Sequence, residues 1–228
     1  MDSLNQADED ISVLLADAHP VIRAGIRAIL NNTPDIRIVG DAENGFDVQQ
    51  LISELMPRVL ILDLQMPGPK PADLALWVCQ NYPGTEVIIL TAHVRDAYLS
   101  IMMDAGVSGF LLKNEPSQNL IVAIRRAARS ESLFSNDQLE RALRWRREVG
   151  EKWFSLSQKE KTALRLMMLG KNNASLAAEM KVTSKTAAYH ITNILTNLGV
   201  KSRNEAIAWV NQFAPMDIEG ILGPGSWL

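Results

Sequence analysis

Five short, nearly continuous apolar runs mark the first half of the chain: Val13-Leu14-Leu15-Ala16, Ile36-Arg37-Ile38-Val39, Val59-Leu60-Ile61-Leu62, Val87-Ile88-Ile89-Leu90 and Gly109-Phe110-Leu111-Leu112. Between them apolar positions recur at helical spacing, as in Ile22, Ile26, Ile29 and Leu30, or Leu120, Ile121, Ile124 and Ala128. Strands that are apolar on both faces and alternate with amphipathic helices predict a parallel sheet covered on both sides. Five βα units fit between about residues 11 and 130.

Beyond about Leu133 the period is helical and no strand pattern recurs. Leu139, Ala142 and Leu143 predict an amphipathic linker helix that also carries Arg141, Arg144, Arg146 and Arg147. Ser157-Gln158-Lys159-Glu160 has the form of a capping box opening a helix that Gly170 closes. A short helix over about Ala174 to Met180 follows, then one from the N-cap Thr183 to Gly199, then one through Phe213 behind a second capping box, Ser202-Arg203-Asn204-Glu205. Four short helices with tight turns predict a small all-α domain, so the chain divides into residues 1–130, a linker 131–152, a helical domain 153–214 and an apolar tail 215–228.

Composition bounds the partners. The chain has 228 residues, of which 47% are hydrophobic, enough for two modest cores. Cys79 is the single cysteine, which rules out an internal disulfide framework. The polar, acidic start MDSLNQADED is unlike a signal peptide, and no apolar run reaches the roughly 18 to 20 residues that span a bilayer. A cytoplasmic protein with no membrane partner is expected. The net charge of -3 would argue against nucleic acid if it were evenly spread. It is not: residues 1–130 hold 16 acids and 10 bases, while residues 151–214 hold four acids and nine bases, a net +5. A basic module attached to an acidic one suits a polyanion-binding domain under separate control.

Ligand sites of open parallel sheets lie at the carboxyl ends of the strands. Those ends carry Asp17, Asp63, Thr91 and Lys113: carboxylates, a hydroxyl and an ammonium able together to accept, bind and neutralise a phosphoryl group. Any one of them alone reads as an ordinary loop residue or helix cap. Together, VLLADAHP, LILDLQMPG, IILTAHV and GFLLK resemble in order and spacing the motifs of bacterial response-regulator receiver domains. The resemblance implies that Asp63 is the phospho-acceptor, Thr91 and Phe110 the switch residues and Lys113 the family's lysine. It also implies a Mg²⁺ site built from Asp17, Asp63 and the main-chain carbonyl of Gln65. The family usually has two adjacent acids before His-Pro, whereas this chain has Asp17-Ala18-His19-Pro20. The missing acid normally ligates the metal directly, and losing even an outer-shell partner costs about 10- to 100-fold in affinity. Weak phosphorylation is expected. Either it still operates through Asp63, or the receiver acts without phosphate.

In the basic half, two short helices joined by a tight turn predict a helix-turn-helix with TSKTAAYHITNILTNLG as the recognition helix. Ala187, Ile191, Ile194, Leu195 and Leu198 form its packing stripe, and Lys185, Ala188, Tyr189, Thr192, Asn193 and Thr196 its outer face. By pattern alone this could be an ordinary helical bundle. The segment Leu156 to Val210, with Glu160, Leu164, Gly170, Lys185-Thr186, His190, Leu198-Gly199-Val200 and Glu205-Ala206, resembles the LuxR-type helix-turn-helix of the NarL/FixJ group of response regulators. It implies binding of double-stranded DNA as a homodimer, with about Asn204 to Phe213 a candidate dimer surface. Here too the chain departs, with Thr186-Ala187-Ala188 where the family commonly has Thr-Val-Lys, and with Ala174-Ser175 after Asn173 in place of the customary lysine and glutamate. Tyr189, helped by Thr192 and Asn193, either replaces the lost base contact or packs on a neighbour. Lys171, Thr183, Lys185, Lys201 and Arg203 are the candidate phosphate contacts.

The expected architecture is therefore an α/β doubly wound, five-stranded parallel-sheet receiver followed by an all-α helix-turn-helix domain. Its function is a transcriptional regulator with a possible sensor histidine kinase partner and no small-molecule substrate, not an enzyme. The alternative is an interaction module that sequesters a kinase or another regulator. Cys79 and the methionines Met102, Met103, Met167 and Met168 read as packing residues, and His19, His93 and His190 are too scattered to share a metal site. Trp145 and Trp153 pack between domains or anchor the linker, and the tail is free or docked.

Overall fold

The computed structural model describes residues 10–214. The chain folds as two compact units, divided between Leu139 and Glu140, inside the expected linker.

In the first unit β1 (Ile11–Ala16), β2 (Ile36–Ala42), β3 (Val59–Asp63), β4 (Glu86–Thr91) and β5 (Gly109–Leu112) form one parallel sheet in the order β2-β1-β3-β4-β5. The helices α1 (Pro20–Leu30), α2 (Gly45–Leu55), α3 (Pro71–Asn81), α4 (Asp96–Ala105) and α5 (Ser117–Ala127) alternate with the strands. Every β3 residue is buried, because helices cover both faces of a central strand. Successive side chains alternate between the faces. Val13, Leu15, Val59, Ile61, Ile88 and Leu90 meet Ile26 and Leu30 of α1 and Leu120 and Ile124 of α5. Leu14, Leu60, Leu62 and Ile89 are buried on the opposite face. The strand order reverses between β1 and β3, so a crevice opens where Asp17 and Asp63 end their strands.

The chain after α5 turns back along the sheet edge. Ser130 adopts a left-handed φ of 57°, Leu133 N–H donates to Ser108 O at 2.8 Å, and Phe134 tilts against Phe110 with centroids 6.1 Å apart. Gly109 makes this strap possible, since a Cβ there would lie 2.5 Å from Leu133 Cβ. Arg58 ties the same corner by donating to Ala128 O and Ser130 Oγ.

The linker helix is longer than the sequence pattern suggests. After α6 (Asn136–Trp145) comes a π-helical turn (Arg146–Gly150), which runs directly into α7 (Glu151–Ser155). The wider π turn keeps Trp145, Val149 and Trp153 on the buried side. Within the second unit Trp145 anchors this helix, donating Nε1–H to Phe213 O at 2.9 Å and packing edge-on against Phe154. The four expected helices follow as α8 (Gln158–Met168), α9 (Asn173–Glu179), α10 (Ser184–Leu198) and α11 (Arg203–Phe213), around a core that includes Trp153, Leu164, Met167, Ala187, Ile194 and Val210. Ser157 and Glu160 form a full capping box. The second box is altered: Ser202 caps the Glu205 N–H, but the Glu205 carboxylate reaches Lys201 N at 2.9 Å. Cys79 is half-buried, and burial first, then Glu86, pushes its thiol up to about 11, as befits a packing residue. Met102 and Met167 are fully buried. The apolar tail lies outside the described residues.

Candidate functional site

The crevice at the β1/β3 switch point gathers four of the expected residues. Asp17 and Asp63 are each 1% exposed. Lys113, just beyond β5, places Nζ 2.7 Å from Asp17 Oδ2 and 2.8 Å from Asp63 Oδ2, so one ammonium bridges both carboxylates. Two buried carboxylates this close require a counter-cation. Arg23 NH1 donates to Asp17 O at 2.6 Å and its guanidinium pairs with Glu43, which fixes the start of α1 over the strand end. The loop after β3 contributes the Gln65 N–H, which donates to Asp63 Oδ1 at 3.1 Å.

Two expected switch residues face elsewhere. The Thr91 hydroxyl donates to His93 O at 3.2 Å, within the β4–α4 turn. Phe110 is 3% exposed and packed beneath Phe134. A phosphoryl group on Asp63 would have to draw Thr91 from its own turn.

Sequence reasoning passed over His19. Its imidazole Nδ1 lies 3.0 Å from Asp17 Oδ1 and 3.8 Å from Asp63 Oδ2. One donor atom from each of Asp17, His19 and Asp63 falls within 4.8 Å of the others, a grouping able to hold a metal ion. The usable signal was His19's place two residues after Asp17, ahead of a proline that starts a helix. The Ala18 side chain offers no donor, so a divalent cation here would rest on Asp17 and Asp63, with His19 beside them.

On α10 the caps lie where the sequence predicts them. Thr183 accepts from Thr186 N, and Gly199 ends the helix with φ 71°. Lys185, Tyr189 and Thr192 are exposed, Tyr189 at 63% with its ring 6.1 Å from that of His190. Tyr189 is thus mainly presented to solvent. Asn193 lies beside the buried Glu160 carboxylate of α8 and favours its charged form. Burial alone would raise that carboxyl, but its bonds from Ser157, with Asn193 and His190 nearby, outweigh burial and hold it below the usual range. Arg203 donates to Asn173 Oδ1 at 3.1 Å and to Lys171 O, clamping the α8–α9 turn. Lys171 pairs with Glu179 at 2.6 Å, and Lys201 is exposed.

Comparison with known proteins agrees with both halves. Residues 13–125 match the family described as response regulator receiver domain, and residues 154–210 match bacterial regulatory proteins, luxR family. The transcriptional regulatory protein LiaR of Bacillus subtilis is 32% identical over 205 residues, covering 89% of this chain and 97% of its own. The response regulator VraR of Staphylococcus aureus is 29% identical with the same coverage. Among solved structures, the response regulator ChrA of a haem-sensing two-component system aligns with TM-score 0.52 at 31% identity, over 90% of this chain and 98% of its own. RcsB of Salmonella enterica serovar Typhimurium, bound to promoter rprA, aligns with TM-score 0.56 at 26% identity, over 89% and 98%. A receiver followed by a LuxR-type helix-turn-helix places the chain in the response-regulator family of two-component transcriptional regulators, to which it belongs.

Proposed function

We propose that this response regulator binds double-stranded DNA as a homodimer in the cytoplasm and takes a damped phosphoryl input at Asp63 from a sensor histidine kinase. The observation that carries the reading is the Lys113 ammonium bridging Asp17 and Asp63 beside a position, Ala18, that lacks a carboxylate. In the transfer, an Asp63 oxygen bonds to phosphorus as the donor's phosphorus–nitrogen bond breaks. Lys113 then shifts toward the new phosphoryl oxygens. Mg²⁺, when held by Asp17 and Asp63, offsets phosphoryl charge during transfer. With one acid missing, that contribution is weakened. The new group carries about -1.5 to -2 charges and competes with the β4–α4 turn for the Thr91 hydroxyl, biasing the Phe110 edge of the sheet.

Base readout rests on Tyr189 of α10, with Thr192 beside it, and Lys185 and Lys201 serve as phosphate contacts. Thr183 and Arg203 act mainly by fixing the helices that carry these groups, while Lys171 is already paired and Asn193 lies beside Glu160. Helix α11 is the proposed dimer surface.

Labelling with a small phosphodonor and Mg²⁺, with Asp63→Asn as control, tests the input. A promoter mobility shift on the same samples tests the output. Slow, Asp63-dependent labelling that tightens DNA binding is expected. No labelling, with a shift unchanged by donor, would establish the phosphate-independent alternative. Absence of any shift would favour sequestration of a protein partner.

A further inference from the structure

The geometry points to Lys181, in the turn between α9 and α10, as a DNA phosphate contact held in a strained backbone conformation that the fold itself does not use. The inference deepens the reading above, since it rests on the helical unit binding DNA.

At the end of α9 the Lys181 N–H donates to Ala178 O at 3.1 Å and the Val182 N–H to Ala177 O at 3.0 Å. Gly106, Gly170 and Gly199 close α4, α8 and α10 with the same pair of bonds, at φ of 88°, 74° and 71°. The closing residue is left-handed, a conformation in which a Cβ crowds the following carbonyl, so glycine is its usual occupant. Lys181 adopts it with φ 54°. Ser130 closes α5 in the same way at φ 57°, but its Oγ accepts from Arg58 at 3.2 Å, so the fold uses that side chain. Lys181 has no such use. Its side chain is exposed and makes no hydrogen bond or ion pair among the described residues. Glu179, the nearest acid along the chain, is taken by Lys171 at 2.6 Å.

The surroundings suit an anion. Thr183 caps α10 two residues further on, and the first turn of that helix carries Lys185 and no acid. A helix N-terminus favours negative charge, and two exposed ammonium groups flank this one. Phosphate contacts fix register and orientation without reading sequence, so Lys181 positions the helix that carries Tyr189. An ammonium near the last carbonyls of α9 also favours the helix dipole. The two uses give opposite signs when the side chain is removed.

The test is Lys181→Gly in the full chain, with folding and DNA binding read separately. Urea unfolding followed by tryptophan fluorescence should show the folding equilibrium constant raised about two- to fivefold, the relief of left-handed strain less the freedom glycine adds to the unfolded chain. Promoter and random duplexes should both bind more weakly, by equal factors, and the slope of log affinity against log salt should flatten by about 1 per bound subunit. Lys181→Arg should restore the slope and keep wild-type stability, because it returns the charge without relieving the backbone. A glycine variant no more stable than the wild type would mean that the ammonium serves α9, and a loss confined to the promoter would mean base recognition; either overturns the proposal. A wild-type chain that binds no duplex sinks the DNA reading and this assignment with it, whereas wild-type binding and slope untouched by the substitution sink this assignment alone.

Discussion

On the proposed reading, the Ala18 methyl group stands where a second metal-binding carboxylate would otherwise sit. Everything else in the crevice is retained, with Asp17, Asp63 and Lys113 within ion-pair distance. Restoring the acid (Ala18→Asp) should raise Mg²⁺ affinity by about 10- to 100-fold and speed Asp63 labelling in parallel, as titration and phosphodonor kinetics would measure. Unchanged labelling would mean that charge at this position does not limit transfer. A second residue-scale effect sits at Glu160, whose carboxyl is held low despite burial. A depressed carboxyl stabilises the fold above its unfolded value of about 4.3 and loses that contribution as pH falls. Melting of the wild type should therefore drop more between pH 7 and pH 3.5 than melting of Glu160→Gln. Equal drops would show that the Ser157 bonds and the Asn193 contact do not depend on the charge.

At the scale of elements, strands and helices were legible because their periods are local. The five apolar runs became β1 to β5, and Ser157, Thr183 and Ser202 all cap helices. Periodicity reports which face a residue occupies and not what it meets there. That is why the pattern places Asn193 and Arg203 on the DNA-facing side without showing that Asn193 lies beside Glu160 or that Arg203 donates to Lys171 O and Asn173 Oδ1. His19 was hidden for the same reason, since its partner Asp63 lies a whole βα unit away along the chain. The strap after α5 was equally invisible, because Gly109 looks like one member of an apolar run until Leu133 lies over it. Gly109→Ala sets a Cβ against Leu133 Cβ at 2.5 Å and Cα at 3.2 Å, so the strap must lift. Overpacking of this kind costs about 1 to 3 kcal/mol. Thermal melting should fall accordingly, and limited proteolysis should cut faster near Leu133 while the sheet stays protected. A variant with wild-type melting and cleavage would show the strap to be loosely held.

For the whole molecule, charge is the property that pattern alone misleads on, because -3 averages an acidic receiver and a helical domain of +5. The positive excess is modest, and part of it is internally paired, as in Lys171 with Glu179. Lys185 and Lys201 are exposed, as is Lys181 just ahead of α10, and on the proposed reading these three face phosphates. About three contacts per subunit, doubled in a dimer, give a slope of log affinity against log salt of about -5, each phosphate contributing about -0.9. The slope also counts subunits. Removing one phosphate contact per subunit with Lys185→Ala should flatten it by about 2 if two subunits bind, but by about 1 if only one does. Tyr189 carries no charge, so Tyr189→Ala should leave the slope unchanged while narrowing the gap between promoter and random duplex. That gap would close by about 1 to 3 kcal/mol if the ring reads a base edge. Fluorescence anisotropy at four salt concentrations, on both duplexes, separates these outcomes. A change of about 1 for Lys185→Ala would refute the dimer on DNA, and an unaltered gap for Tyr189→Ala would remove it from base readout.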